Sequence, residues 1–382
     1  MKKTLSIKQG DTMMNTAQVA YIDYSELKRF MKEGLMALNV PETDAEICSR
    51  VLIESDLRGV ESHGIGRFNM YVERINQGIL NPVTKETIVR ETDTTALIDG
   101  NDGMGHVIAY RAMELAIDKA KKHMVGLVGV RNSSHFGITG YYPSMALKND
   151  MIGLAFSNAR PSVAPTFGVE PVIGTNPISF GAPSDAKHPF LLDIATSTTQ
   201  RGKIEVNARE GRMTPKGLTI DKHGNEPTDS QELLRTLVEG TASLLPLGGS
   251  GEELGGHKGY GLGVMIEILC GALTGGKFGK ALSGFNEGTP IPHKLGHFFA
   301  AINIEGFVSI DVFKTITGAI MNEIRTSEKA PGSQRIYLAG EKEFEMIENR
   351  KKQGVPVNAA LQNIMKKLAK DLHLDGFDFP FL

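Results

Sequence analysis

Three side chains able to handle a proton and an anion fall within nine residues of one another. They are His63, Arg67 and Tyr71, in the stretch VESHGIGRFNMY at 60–71. An imidazole exchanges protons near neutral pH, and a guanidinium grips a carboxylate as a two-pronged fork. Arg67 and Tyr71 are four residues apart and share one face of a helix, with His63 just ahead of it. Spacing alone fits an exposed His and a surface Arg equally well. A second candidate is His135, in VRNSSHFGITGYY at 130–142. It leaves the C-terminal end of the apolar strand VGLVGV, the edge at which α/β proteins place ligands; the alternative is a loop histidine with a purely structural bond. The third is the pair GTNPISFGAP and LLDIATSTTQRGK within 174–203. Thr175 and Asn176 there lie among small residues, and Asp193 follows an apolar run from which a carboxylate can accept ribose hydroxyls. The fourth is GGHKGYGLG at 255–263, where Lys258 and Gly259 sit at an expected helix N-terminus suited to a diphosphate. For both of these the plain reading is a set of tight turns.

Several chemistries are disfavoured. No Gly-x-Gly-x-x-Gly opens a helix after a strand, so an ordinary Rossmann site is not expected. GALTGGKF at 271–278 has P-loop spacing, but Phe278 stands where a hydroxyl would hold magnesium, and a helix precedes it. It reads as a helix C-terminus. The ten histidines and two cysteines form no HxxxH, HExxH or CxxC pattern, so no metal site is expected. A GxSxG elbow is also missing, which weakens a serine hydrolase.

The elements that must position these groups follow from periodicity. Helices are expected over 23–38, from Thr43 to Gly59 behind a TDAE capping box, and from Gly66 to Gln77, where Phe68, Tyr71, Val72 and Ile75 make the apolar stripe. Further helices are expected over 105–123, from about Thr139, over 258–273, over 310–326, and after an Asn358 cap. Apolar runs at 94–100, 125–130, 151–157 and 298–304 read as strands, and the polar stretch 205–232 as surface loops. The order is helical, then mixed, then helical. It implies a mixed α/β protein in which both chain ends build a helical domain around a central sheet domain. The domains expected are an extension over 1–19, a helical substrate-side domain over 20–95 joined by 300–382, and a dinucleotide-binding mixed-sheet domain over 96–299.

The chain has 382 residues, 41% hydrophobic and 23% charged, with a net charge of −2, so nucleic acid is not an expected partner. The N-terminus starts with two lysines but lacks an apolar h-region, and Met13 or Met14 offers an alternative start. The run GYGLGVMIEILCGALTGG carries Glu267 and is too rich in glycine for a membrane span. Cys48 and Cys270 read as buried free thiols of a reducing compartment. A cytoplasmic location is expected, with no membrane partner.

ESHGIGRFNMYVERINQGILNP, SSHFGITGYY, IGTNPISFGAP, LDIATSTTQRGK and GHKGYGLG together resemble the type-2 malate/L-lactate dehydrogenase family. Its members also include ureidoglycolate, L-sulfolactate and diketogulonate enzymes and an imino-acid reductase. The resemblance covers residues from about 20 to beyond 340. It implies a non-Rossmann, L-sulfolactate-dehydrogenase-like fold with a largely antiparallel sheet, a homodimer, and NAD or NADP as cofactor. It also assigns roles. His63 and His135 become the acid/base or substrate-contacting pair, with Arg67 and Tyr71 lining the substrate end. Asp193, Ile194, Ala195, Ser197, Lys258, Gly259, Gly340 and Glu341 become cofactor contacts, beside Thr175 and Asn176. The late turn LAGEKE departs from the family's Pro-Gly-Glu by carrying Ala339.

The expected function is hydride transfer between a nicotinamide and a small 2-hydroxy or 2-oxo acid, with malate favoured. Arg67 would hold the carboxylate and His135, before His63, would take the hydroxyl proton. Arg131, Arg160 and Lys148 are candidates for the second cation that malate needs. Lactate, ureidoglycolate and sulfolactate oxidation, cyclic imine reduction, and a silent nucleotide-binding protein stay open.

Overall fold

The structure is a computed structural model that describes residues 19–382, so the N-terminal extension, except residue 19, lies outside the described residues. Its elements, in chain order, are β1 (Ala20–Ile22), α1 (Tyr24–Ala37), α2 (Glu42–Leu57), α3 (Ile65–Asn76), β2 (Thr87–Glu91), β3 (Thr95–Asp99), α4 (Gly105–His123) and β4 (Val125–Ser133). Then come α5 (Tyr141–Leu147), β5 (Met151–Ser157), β6 (Ile178–Ala182), β7 (Phe190–Ile194), α6 (Arg201–Arg209), β8 (Thr219–Asp221), α7 (Ser230–Glu239), β9 (Ala242–Leu244) and α8 (Gly256–Glu267). The chain closes with β10 (Phe285–Asn286), β11 (Thr289–Pro290), β12 (Leu295–Asn303), α9 (Ile310–Thr326), α10 (Glu341–Gln353), β13 (Val355–Val357) and α11 (Ala359–Asp371).

The central sheet has seven strands in the order β2-β3-β4-β12-β5-β6-β7. Only β3 and β4 run parallel; every other neighbouring pair in it is antiparallel. This is the largely antiparallel sheet that the resemblance implied. Its middle strand, β12, carries the run FFAAI, which places Phe299 opposite Val128 on β4 and Ala155 on β5. Such a continuous apolar run suits a strand covered on both faces. Helix α4 lays Ile108, Ala112, Met113 and Ala116 against this centre, where Phe136, Tyr142 and Phe299 complete the core.

The helical layer draws on both ends of the described chain. Leu27, Phe30, Met31, Leu52, Phe68 and Tyr71 pack with Val355, Met365, Leu368 and Phe377 in one apolar cluster. The seam is closed by β1 and β13, which pair antiparallel with Ile22 opposite Val355. Asn358 caps α11 by accepting the Leu361 N–H at 3.0 Å, as its sequence position implies.

Three local expectations are corrected. Helix α2 begins at Glu42 with Pro41 at its N-cap and no side-chain cap, so the TDAE capping box does not form. Proline's preset φ starts the helix there, and Glu46 turns instead to Lys28, 2.5 Å away on α1. The stretch 205–232 is not only loops: it holds the end of α6, all of β8 and the start of α7, which Asp229 caps through the Glu232 N–H at 2.9 Å. A small core of Ile204, Leu233, Ala242 and Leu244 ties this lobe together from residues too far apart to give a local signal. Strand β2 starts the sheet at Thr87, inside the span 20–95 that the sequence assigns to the helical part. The P-loop-like stretch ends a helical segment, as expected: α8 runs into a π-turn over Ile268–Ala272. Cys48 and Cys270 are buried and unpaired.

Candidate active site

Helix α3 presents Arg67, Tyr71 and Arg74 from successive turns of one face. Just before it a short 3-10 turn, Glu61–His63, delivers His63. The junction is tightly made. Asp56 on α2 accepts the Ile65 N–H through Oδ2 at 2.8 Å. Gly64 is packed so closely that a Cβ there would lie 2.0 Å from Asp56 Oδ1. From α10, Arg350 donates to the Asp56 carbonyl and to the Glu61 carboxylate. Burial pushes the Asp56 carboxyl up to about 8.

His135 follows the end of β4 and reaches the α3 face. Its Nδ1 lies 2.5 Å from Tyr71 Oη and 3.3 Å from the Gly137 N–H. Its ring stacks on His63 with centroids 5.4 Å apart and planes at 27°. The His63 Nδ1 is held by Ser62 Oγ at 2.8 Å, and Arg67 Nε donates to the Ser62 carbonyl at 3.0 Å. On both imidazoles Nε2 is the nitrogen left without a protein partner. Burial first, then the charges of His63, Arg67 and Arg74, hold the His135 pKa well below its ordinary value. Burial and Arg67 bring His63 down to about 4. Both rings are therefore neutral at pH 7 and able to accept a proton. Tyr71, fully buried, is held above its ordinary range and stays a phenol.

These side chains open onto a cleft of about 540 Å³. Of the residues expected from sequence, His63, Arg67, His135, Thr175, Asp193, Ile194, Ala195 and Gly340 line it. Tyr71 stands directly behind His135. Asp193 is exposed to the cleft, and its Oδ2 accepts the Gly140 N–H at 2.7 Å. Gly340 caps α10 at φ +92, a left-handed conformation that favours glycine.

Besides Tyr71, five expected residues lie off the cleft. Asn176 is buried and braces the backbone, accepting from Ala159 N at 3.0 Å and donating to the Gly263 carbonyl at 3.0 Å. Ser197 donates to the Thr199 carbonyl at 2.7 Å. Lys258 is exposed on the first turn of α8, and Gly259 packs under the Leu247 backbone. Glu341 is buried between Arg325 at 2.6 Å and Arg335 at 3.1 Å, where it braces the turn. Two of the expected second cations are also elsewhere. Arg131 pairs with Asp99 at 2.9 Å, and Lys148 lines a separate surface groove.

Sequence reasoning missed Arg74 and His293. Arg74 Nη2 lies 2.9 Å from His293 Nε2, beside a smaller cavity of about 230 Å³ that also touches His135. Arg74 had a signal, since it falls one turn beyond Tyr71 on the same helix face. His293 had none, because it comes from the loop before β12. Among the described residues no cluster of His, Cys, Asp or Glu could hold a metal ion. No described helix is long and apolar enough to cross a membrane.

The model of the malate/L-lactate dehydrogenase family matches residues 22–366. A malate dehydrogenase of Pyrococcus abyssi is 44% identical over 94% of this chain and 96% of its own length. The crystal structure of malate dehydrogenase from Entamoeba histolytica superposes with a TM-score of 0.91 at 41% identity, over 95% of this chain and all of the other. A sulfolactate dehydrogenase structure from Methanocaldococcus jannaschii gives 0.82 at 38% identity, over 94% of this chain and 98% of the other.

Proposed function

From the premise that the chain belongs to the malate/L-lactate dehydrogenase family, we propose that it moves hydride between a nicotinamide and a small 2-hydroxy acid, with malate and oxaloacetate as its pair. The observation that carries this reading is the stacking of two neutral imidazoles beside Arg67 in one cleft.

The roles follow from the geometry. Arg67 holds the C1 carboxylate as a fork. His135 takes the C2 hydroxyl proton on Nε2 during oxidation. For that its own proton must sit on Nδ1, where Tyr71 Oη, 2.5 Å away, can accept it. His63, anchored by Ser62, steadies the same substrate oxygen. In the opposite direction His135 Nε2 returns the proton to the carbonyl oxygen.

The cleft suits a nicotinamide dinucleotide. Its volume lies in the range of cofactor sites, and Leu191, Ile194, Ala195 and Leu338 give it an apolar wall. Asp193 offers a carboxylate to ribose hydroxyls. Gln200, Arg201 and Gly202 line the cleft at the N-terminus of α6, which no side chain caps, and that end suits the diphosphate. When bound, the cofactor supplies the hydride acceptor; the protein supplies orientation and the proton.

We also propose a homodimer. Val312, Ile316, Ile320 and Ile324 recur every fourth residue along α9, and each is 45–54% exposed. A second copy of the chain would cover that stripe.

The test is the initial rate of NADH and NADPH oxidation with oxaloacetate, pyruvate, sulfopyruvate and piperideine-2-carboxylate. Turnover led by oxaloacetate is expected, and the same plate gives the cofactor preference. Turnover confined to the cyclic imine would replace this reading with an imine reductase.

A further inference from the structure

Four guanidinium groups gather around His135. Arg67 lines the main cleft, Arg74 lines the smaller cavity, Arg160 stands at its rim, and Arg201 borders both. The two cavities meet at His135, Ala159, Thr175 and Leu295. Of the four arginines, only Arg201 has a carboxylate partner among the described residues, Glu205 at 3.1 Å. Arg67 is held by a carbonyl and Arg74 by an imidazole, while Arg160 sits 5.8 Å from the Phe285 ring centroid.

That arrangement is costly without a ligand. Burial lowers the Arg74 pKa, and the charges of Arg67 and Arg160 lower it further against the opposing Tyr71. His293 cannot compensate. Its pKa is brought down to about 4 by burial and by Arg74, so it is neutral and accepts from Arg74 through Nε2. Its Nδ1 in turn faces the Leu282 carbonyl at 3.1 Å, which fixes the ring. One monoanionic substrate on Arg67 would leave Arg74 and Arg160 unneutralised. A half-buried guanidinium such as Arg74, with no carboxylate partner among the described residues, calls for a counter-ion.

We propose that Arg74, oriented by His293 and flanked by Arg160, forms a second anion subsite that binds the distal carboxylate or sulfonate of a dianionic 2-oxo acid. The inference rests on the dehydrogenase reading and gives that site its selectivity. Arg67 and Arg74 lie on the same face of α3 with Tyr71 between them. A substrate gripped at both ends would thus present its C2 to the imidazole that Tyr71 holds. A monocarboxylate would fill the main cleft but leave Arg74 unmatched, and sites built for a charged group discriminate strongly against ligands that lack it.

The experiment compares kcat/KM for oxaloacetate with that for 2-oxobutyrate, which has the same carbon count and no second charge. Sulfopyruvate is the third substrate. The wild type is expected to favour both dianions. In Arg74→Met the ratio of oxaloacetate to 2-oxobutyrate should fall by about 100-fold, and the sulfopyruvate ratio should fall with it. Arg74→Lys, which keeps a point charge, should retain part of the preference. Arg160→Gln, at the rim of the smaller cavity, should lower the ratio about 10-fold. An unchanged ratio in Arg74→Met, or a wild type that favours 2-oxobutyrate, overturns the subsite and leaves the dehydrogenase reading standing. If the wild type reduces no 2-oxo acid, that reading falls, and a binding arm decides the subsite. Thermal protection of the NAD-bound protein by succinate but not butyrate, lost in Arg74→Met, supports it; protection unaffected by the substitution, or none by succinate, overturns it.

Discussion

At the scale of single residues, the proposed proton chemistry rests on one nitrogen, His135 Nε2. Removing it in His135→Ala should lower kcat by about 10²–10⁴-fold, the range for loss of a positioned general base. Retention of near wild-type kcat would shift the role to His63. The pH profile carries its own sign. Because the His135 pKa is depressed, the neutral, accepting form dominates from neutral pH upward. The kcat/KM for oxidation should therefore stay flat between pH 6.5 and 8, as far as this group decides it. In reduction the acidic form is required, so log kcat/KM should fall with a slope of about −1 per pH unit over the same window. A reduction profile flat across that window would exclude His135 as the proton donor. The histidines and Arg67 were legible as chemistry from their types and spacing. Arg74 carried the same helix-face signal, but a guanidinium at i+3 from a tyrosine reads equally as a solvated helix face until its burial is known. His293 could not be found at all, since its contact with Arg74 spans 219 residues of sequence.

At the scale of elements, the junction between α2 and α3 controls where His63 stands. Gly64→Ala would drive a methyl into the Asp56 carboxylate, so the 3-10 turn must shift. Activity should fall by at least about 10-fold through misplacement of His63, while near-native far-UV circular dichroism shows that the helices persist. Asp56 adds a pH dependence to stability. Its folded pKa of about 8 lies above the ordinary carboxyl value, so the native state holds a proton that the unfolded chain has released. Stability from this group is present at acid pH and is lost as pH rises towards 8. The depressed histidines act in the opposite sense, but only below their ordinary value of 6.5. Between pH 6.5 and 8, Asp56→Asn should therefore gain on the wild type by about 2 kcal/mol, as read by denaturant unfolding at several pH values. A constant difference would show that Asp56 does not titrate there. Long periodic helices such as α4 and α9 were legible to the residue. What the sequence could not reveal were elements held by distant partners: β1 with β13, the lobe around Leu233, and α10, whose polar sequence packs through Glu341 and Arg350 rather than through an apolar stripe.

At the scale of the whole molecule, two surfaces stand open: the cleft and the exposed α9 stripe. If the stripe is a dimer seam, Ile316→Glu with Ile320→Glu should yield a monomer by light scattering after size exclusion, with the far-UV spectrum preserved. A dimer that persists would place the seam elsewhere. The sheet-plus-helix architecture followed from the order of periodic segments, but the seam did not, because an exposed aliphatic face and a buried one have the same spacing. The pairing of Ile22 with Val355 has a consequence for how the protein is made. Arg350, which holds the turn carrying His63, emerges from the ribosome almost three hundred residues after Asp56, the residue it braces. The sheet can be complete once β12 is synthesised, whereas the corner that carries His63 must wait for α10. A chain made only as far as β12 would carry His63 and His135 without the Arg350 brace that holds the His63 turn.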